Sequence, residues 1–249
     1  MAKQKGIIPL VGTIGGINFY YLNGKPVARK AGGGFNGKAI KTKASMRRVR
    51  ENGSEFGHCS KVNKAFRTAL RTFYKGYTFT FFHSRLMRLF TALKDMDTIN
   101  ERGKRVVFEG ANTAEGLTLI KQFDFTPDCH VKRILPFHFA VDGSTFELTI
   151  SEFDIAKVGF INGATHIEQT YGVLDFNFEA LNYELHLATP LVLDKSFGGT
   201  TIHLVPDTLP VSVGTLLCVF GVRFYQEVDG QLYLLNAKNG VGFFMVDSL

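Results

Sequence analysis

Leu174-Asp175-Phe176-Asn177-Phe178 and, shortly after, Tyr183-Glu184-Leu185-His186-Leu187 alternate apolar and polar side chains with a period of two. That period turns one face of an extended strand to a core and the other to water, the pattern of a half-buried antiparallel strand. Phe146, Leu148 and Ile150 alternate with Glu147 and Thr149 in the same way. Further strands are predicted at 189–193, 200–204, 216–226, 231–236 and 241–246. Asp229-Gly230 and Asn239-Gly240 are read as the hairpin turns between the last three. About eight such strands predict an antiparallel β-sandwich of jelly-roll or immunoglobulin-like type over residues 126–249.

Upstream of Pro127, where a domain boundary is expected, the period becomes helical. Residues 44–125 read as a basic helical region. Ser45 caps a first helix through Met46, Val49 and Arg50, which the weak helix formers Asn52-Gly53 are expected to end. A second begins near Ser60. Ala65, Phe66, Ala69, Leu70 and Phe73 line one face of it, and Lys64, Arg67, Arg71 and Lys75 another. A third carries an apolar stripe of Phe82, Leu86, Leu89, Phe90 and Leu93, with Arg85, Arg88 and Lys94 off it. Ala114–Phe123 is a further short helix. Residues 1–43 form a glycine-rich basic arm with strands at Ile7–Val11, Ile17–Leu22 and Val27–Lys30, and Asn23-Gly24 is a tight-turn signal. With 9 glycines, the arm is expected to gain order only by packing on something else. The fold class is therefore α+β.

Charge is distributed unevenly along this chain of 249 residues. Residues 1–105 hold 22 of the 29 Lys and Arg but 5 of the 22 Asp and Glu, and the remainder is net acidic. Such polarity calls for an anionic partner or for a second copy whose acidic half meets the basic half of the first. Lys41, Lys43, Arg47, Arg48 and Arg50 cluster ahead of the ridge Lys64, Arg67, Arg71 and Lys75, and Arg85 and Arg88 follow. These residues are the candidate contacts to a polyanion or to a neighbouring subunit. Tyr20, Tyr21, Phe35 and Tyr74 interleave with them and offer stacking surfaces, although packing on the arm's neighbours is the expected use.

No catalytic signature accompanies the charge. Gly32-Gly33-Gly34-Phe35-Asn36-Gly37-Lys38-Ala39 has the glycine and lysine spacing of a phosphate loop, but Ala39 stands where that loop needs a magnesium-binding hydroxyl. His58-Cys59 and Asp128-Cys129-His130 lack the spacing of structural zinc ligands. Glu51 and Glu55 read as ion-pair partners in a basic region, and Cys218 as a buried thiol within a strand. Three widely spaced cysteines suit a reducing compartment. No signal peptide, membrane span, metal or cofactor is expected, and the chain is placed in the cytoplasm, with release as part of an assembly left open.

The stretch from Gly6 to Tyr20, then Gly24-Lys25, Arg29-Lys30 and Arg47–Gly57 with its Arg50-Glu51-Asn52-Gly53-Ser54-Glu55-Phe56-Gly57 signature, resembles a group of proteins common in the Bacteroidota. The resemblance covers residues 5–75. It implies that the arm and the first helices act as one unit, and it transfers no activity and no catalytic residue. The sequence thus predicts a structural subunit that assembles with itself into a filament, tube or virion-like shell. Non-specific DNA or RNA binding by the same helices is the alternative. An enzyme or a glycan-binding sandwich ranks below both.

Overall fold

Thr215-Leu-Leu-Cys-Val-Phe-Gly-Val-Arg-Phe224 is an almost unbroken apolar run, and so apolar a strand needs cover on both faces. The computed structural model, which describes residues 2–6, 8–32, 36–211 and 214–248, provides it. The chain divides into two compact units, Met1–Arg50 and Glu51–Leu249. The first holds 11 Lys and Arg and no acidic residue; the second holds 18 basic and 22 acidic residues.

In the first unit β1 (Ala2–Lys3), β2 (Gly12–Ile14), β3 (Ile17–Leu22) and β4 (Lys25–Lys30) form an antiparallel sheet in the order β1-β4-β3-β2. Gly15-Gly16 and Asn23-Gly24 make its two-residue turns at positive φ, where glycine and asparagine cost least. The strands expected at Ile17–Leu22 and Val27–Lys30 are β3 and β4, whereas residues 8–11 of the stretch Ile7–Val11 are not in a strand and the strand expected there lies instead at Gly12–Ile14 (Ile7 is outside the described residues). Gln4 is the reason: its Oε1 accepts the Leu10 N–H at 2.9 Å and its Nε2 donates to the Val27 carbonyl at 3.0 Å. That side chain takes up the backbone that a ladder would have used.

The register gives the small sheet two unlike faces. Ile14 lies opposite Ile17, Phe19 opposite Ala28 and Tyr21 opposite Pro26, so these side chains share one largely apolar face, with Lys30, opposite Ile17, at its margin. Lys3, Lys25, Val27 and Arg29 share the other with Tyr20, whose ring lies 5.3 Å from the Arg29 guanidinium carbon. Among the described residues of this unit only Val27 is buried. A short helix, α1 (Gly37–Thr42), follows. Asn36 caps it by accepting from the Lys38 and Ala39 N–H groups. Gly33, Gly34 and Phe35 of the phosphate-loop-like stretch lie outside the described residues.

Helix α2 (Arg47–Ala69) starts in the first unit and runs unbroken through Asn52-Gly53, where the sequence led us to expect a stop and a second helix. A mid-helix glycine costs about 1 kcal/mol, and side-chain anchors beside it outweigh that. Then come α3 (Phe82–Asp95), α4 (Val107–Ala111), α5 (Ala114–Gln122) and α6 (Val131–Ile134). The strands are β5 (His138–Val141), β6 (Leu148–Ser151), β7 (His166–Phe176), β8 (Tyr183–Leu187), β9 (Leu191–Asp194), β10 (Ile202–Leu204), β11 (Thr215–Val228), β12 (Gln231–Leu234) and β13 (Val241–Ser248). Among the described residues no helix is long and apolar enough to cross a membrane.

The fold is α+β with a β-sandwich region. β11 is central to a six-stranded antiparallel sheet: β7 pairs along one side, and β12 and β13 share the other. β8 and β9 pair with successive halves of β7, and a second sheet runs β10-β6-β5. Asp229-Gly230 makes the β11–β12 turn as expected, but Asn239-Gly240 does not join a hairpin, because β12 and β13 both pair with β11.

Period-two alternation sorts the large sheet between two cores. Leu174, Phe176, Leu217, Val219, Phe243 and Met245 pack with the helices; Ile167, Tyr171, Val173, Cys218, Phe220 and Phe224 pack with the small sheet. Phe66 of α2 sits in the helix-side core, with ring centroids of Phe90, Phe125, Phe176 and Phe178 at 5.2–6.4 Å. Phe125, at the boundary expected near Pro127, belongs to this shared core. The apolar stripes predicted on α2 and α3 are those it buries.

Candidate functional site, a basic aromatic groove

Lys64, Arg67, Arg71 and Lys75 recur every three or four residues from α2 into the single 3₁₀ turn Leu70–Tyr74 that follows it. That spacing keeps them on one side of the rod while Phe66, Ala69, Leu70 and Phe73 are buried on the other. The chain then leaves at Gly76, passes through Tyr77-Thr78-Phe79-Thr80-Phe81 and enters α3. Cations and aromatic loop together enclose an open groove of about 790 Å³. Lys64, Arg67, Arg71, Lys75 and His83 line it with Tyr74, Tyr77, Phe79 and Phe81, and among the described residues no carboxylate does. Among the described residues none of the four cations forms an ion pair.

The groove is held in shape from below. Asn63, fully buried, accepts from Arg67 Nε at 2.8 Å through Oδ1 and donates Nδ2–H to the His83 carbonyl at 3.0 Å. The Tyr74 hydroxyl donates to the Arg67 carbonyl at 2.7 Å. Phe79 packs against Tyr77, Tyr74 and Phe82 with ring centroids at 4.9, 5.7 and 5.5 Å, a preassembled aromatic floor. Burial pushes the Tyr74 and Tyr77 hydroxyls up from their ordinary value. Phe81 is different: it is 75% exposed and sits at φ 58°, ψ 15° as the residue that opens α3. A left-handed backbone under a bulky exposed ring is costly and is favoured at ligand sites.

The other candidate residues go elsewhere. Lys41, Lys43, Arg47, Arg48 and Arg50 belong to the first unit, where Arg50 Nη1 donates to the Ile40 and Lys43 carbonyls at 2.6 and 3.0 Å and closes the end of α1. Arg85 donates to the Phe125 carbonyl at 3.3 Å and its guanidinium lies 5.5 Å from the Phe123 ring centre; Arg88 is exposed on α3 outside the groove. Of the aromatics read from sequence, Tyr74 lines the groove, Tyr20 and Tyr21 belong to the first unit, and Phe35 lies outside the described residues. Tyr77, Phe79, Phe81 and His83 were missed, although the run Tyr77–Phe82 between two basic segments is a legible signal.

The Arg50–Gly57 signature serves as a clamp. Glu55, buried on α2, accepts from Arg105 Nε and Nη2 at 2.9 and 2.8 Å, from Lys94 Nζ at 3.0 Å and from the Gly103 N–H at 2.7 Å. Arg105, with these other donors, holds its carboxyl down at a pKa of about 2. Glu51 pairs with Arg102 at 3.6 Å, and Asn52 accepts from the same Arg102 at 2.9 Å. These contacts fasten the 101–105 loop to α2 and keep the helix intact across Gly53.

Of the residues weighed as zinc ligands, His58 and Cys59 have protein partners. His58 Nε2 accepts the Val107 N–H at 3.0 Å, and burial with Lys61 nearby lowers its pKa. Cys59 donates to the Phe90 carbonyl, and burial pushes the Cys129 thiol up to about 12. Among the described residues no three His, Cys, Asp or Glu side chains gather into a metal-ligand set. No family model matches this sequence, and no curated protein or solved structure matches it.

Proposed function

We propose that the chain is a non-enzymatic structural subunit that assembles with further copies of itself through its N-terminal sheet. The observation that carries this reading is the apolar face of that sheet, where Ile14, Ile17 and Tyr21 are 57%, 43% and 51% exposed. A small sheet is stable in water when its hydrophobic face is covered, and exposed apolar patches mark interaction surfaces. A second copy supplies the cover, since the same face offered by two subunits is self-complementary. The edge strands β1 and β2 are each paired on one side only within this sheet, so strand addition between copies extends the assembly. Charge supports the same arrangement. The first unit has no acidic residue, while the second has an acidic excess, so basic α1, the start of α2 and the cationic sheet face are complementary to a neighbour's second unit. Contacts of this kind that do not close yield a filament, tube or shell.

The test is sedimentation and electron microscopy of the purified chain freed of nucleic acid. Oligomers or ordered polymers are expected, with Ile17→Glu and a deletion of residues 2–43 both reduced to monomer. A full-length chain that stays monomeric at high concentration, unchanged by the deletion, overturns the proposal.

A further inference from the structure

We infer that the groove between the end of α2 and the 76–81 loop binds single-stranded nucleic acid, with phosphates on Lys64, Arg67, Arg71 and Lys75 and an unpaired base stacked on Phe81. It stands apart from self-assembly, because a monomer carries the same groove.

The chemistry of the walls selects this ligand. Lys64 to Lys75 spans about 19 Å at the rises of an α-helix and of the 3₁₀ turn that follows it, a cationic track along one wall with no carboxylate among the described residues that line it. A linear polyanion fits such a track better than a single phosphate does. Arg67 is held in place by buried Asn63, so its guanidinium is presented with little rotamer freedom left to lose. The facing wall is aromatic rather than polar. An acidic protein surface would use the cations and leave Phe81 in water. A duplex would offer phosphates but keep its base faces stacked inside the helix, out of reach of a side-chain ring. Single strands present both groups at once, and a groove of cations with exposed rings is how they are bound without sequence preference. Phe81 shares its left-handed backbone with Phe146, Glu152 and Leu181, but its ring is 75% exposed and lines the groove with the cations.

Fluorescence anisotropy with a labelled 12-nucleotide oligo-dT and oligo-U, a duplex of the same length and polyglutamate as competitor tests it. Single strands are expected to bind, with log affinity falling against log salt at a slope of about −3 for four phosphates on a single strand. Phe81→Asn removes the ring while keeping a residue that tolerates the left-handed backbone, and should weaken binding between about 5- and 150-fold, the usual range for one stacked base. Arg71→Ala should weaken binding and make the slope shallower by about 0.7. Arg88→Ala, outside the groove, should change affinity by less than about twofold, an exposed cation away from the contact track being only weakly felt through salt. Melting curves of each variant confirm the fold. Equal affinity for the duplex, equal competition by polyglutamate, or binding untouched by Phe81→Asn overturns the inference.

Discussion

Glu55 and Arg105, 50 residues apart in sequence, meet in a bidentate pair with N–O distances of 2.9 and 2.8 Å, at a carboxylate that is almost wholly buried. Lys94 and the Gly103 N–H complete its shell. A carboxylate so placed is a strong stability determinant, because removing one partner leaves a charge uncompensated in the interior.

Acid should therefore weaken the fold in a defined window. The pKa of Glu55 is depressed in the folded state to about 2. Its contribution, about 3 kcal/mol for such a shift, is fully present above the unfolded value near 4.5 and is lost as pH falls toward 2. Chemical denaturation between pH 7 and pH 2 should show the loss. Glu55→Gln should cost about 3–5 kcal/mol at pH 7 and flatten the acid limb; an unchanged limb would assign it to other carboxylates.

Gly110 of α4 lies against the end of α3, where an added Cβ would stand 1.9 Å from the Leu93 carbonyl oxygen. Backbone, not a flexible side chain, would have to give way. Gly110→Ala is expected to destabilise by at least about 2 kcal/mol, read as a lowered denaturation midpoint with an unchanged denaturant slope.

Gln169 occupies an inward position of β7 between Ile167 and Tyr171, fully buried, and among the described residues neither its Nε2 nor its Oε1 has a hydrogen-bond partner. Replacing an unsatisfied amide by an apolar side chain of similar volume removes a desolvation cost of about 1–3 kcal/mol. Gln169→Met should thus raise stability by about that amount in thermal denaturation. A loss of stability would mean that the amide is satisfied.

Phe81→Gly should raise stability by about 0.5–1 kcal/mol, the left-handed strain relieved less the extra chain entropy of glycine. The ring is mostly exposed, so little burial is lost. A stability gain with weakened oligonucleotide binding separates a ring presented for a ligand from one kept for packing. Loss of stability would show that Phe81 is structural.

Phe66→Ala should cost about 3–5 kcal/mol and unfold helices and strands of the second unit together. Its ring touches Phe90 and Phe125 on one side and Phe176 and Phe178 on the other. Coincident transitions followed by backbone and aromatic circular dichroism would verify a single shared core.

What the sequence determined by itself is what local periodicity carries. The stripes on α2 and α3, the alternating strands from Leu148 onward (Phe146, expected to begin the first, sits before it at φ 57°) and the Asn23-Gly24 and Asp229-Gly230 turns follow from residue types within a few positions of one another. The cationic ridge from Lys64 to Lys75 was legible for the same reason. Long-range contacts decided the rest. Helix α2 passes Gly53 because Arg102 and Arg105 anchor its acidic side chains from 50 residues away. The first half of β7 was hidden because polar Gln169 fills a core position. The ridge became a groove only when Gly76 and a strained Phe81 turned the aromatic loop back over it, a closure that no spacing of charges along α2 encodes.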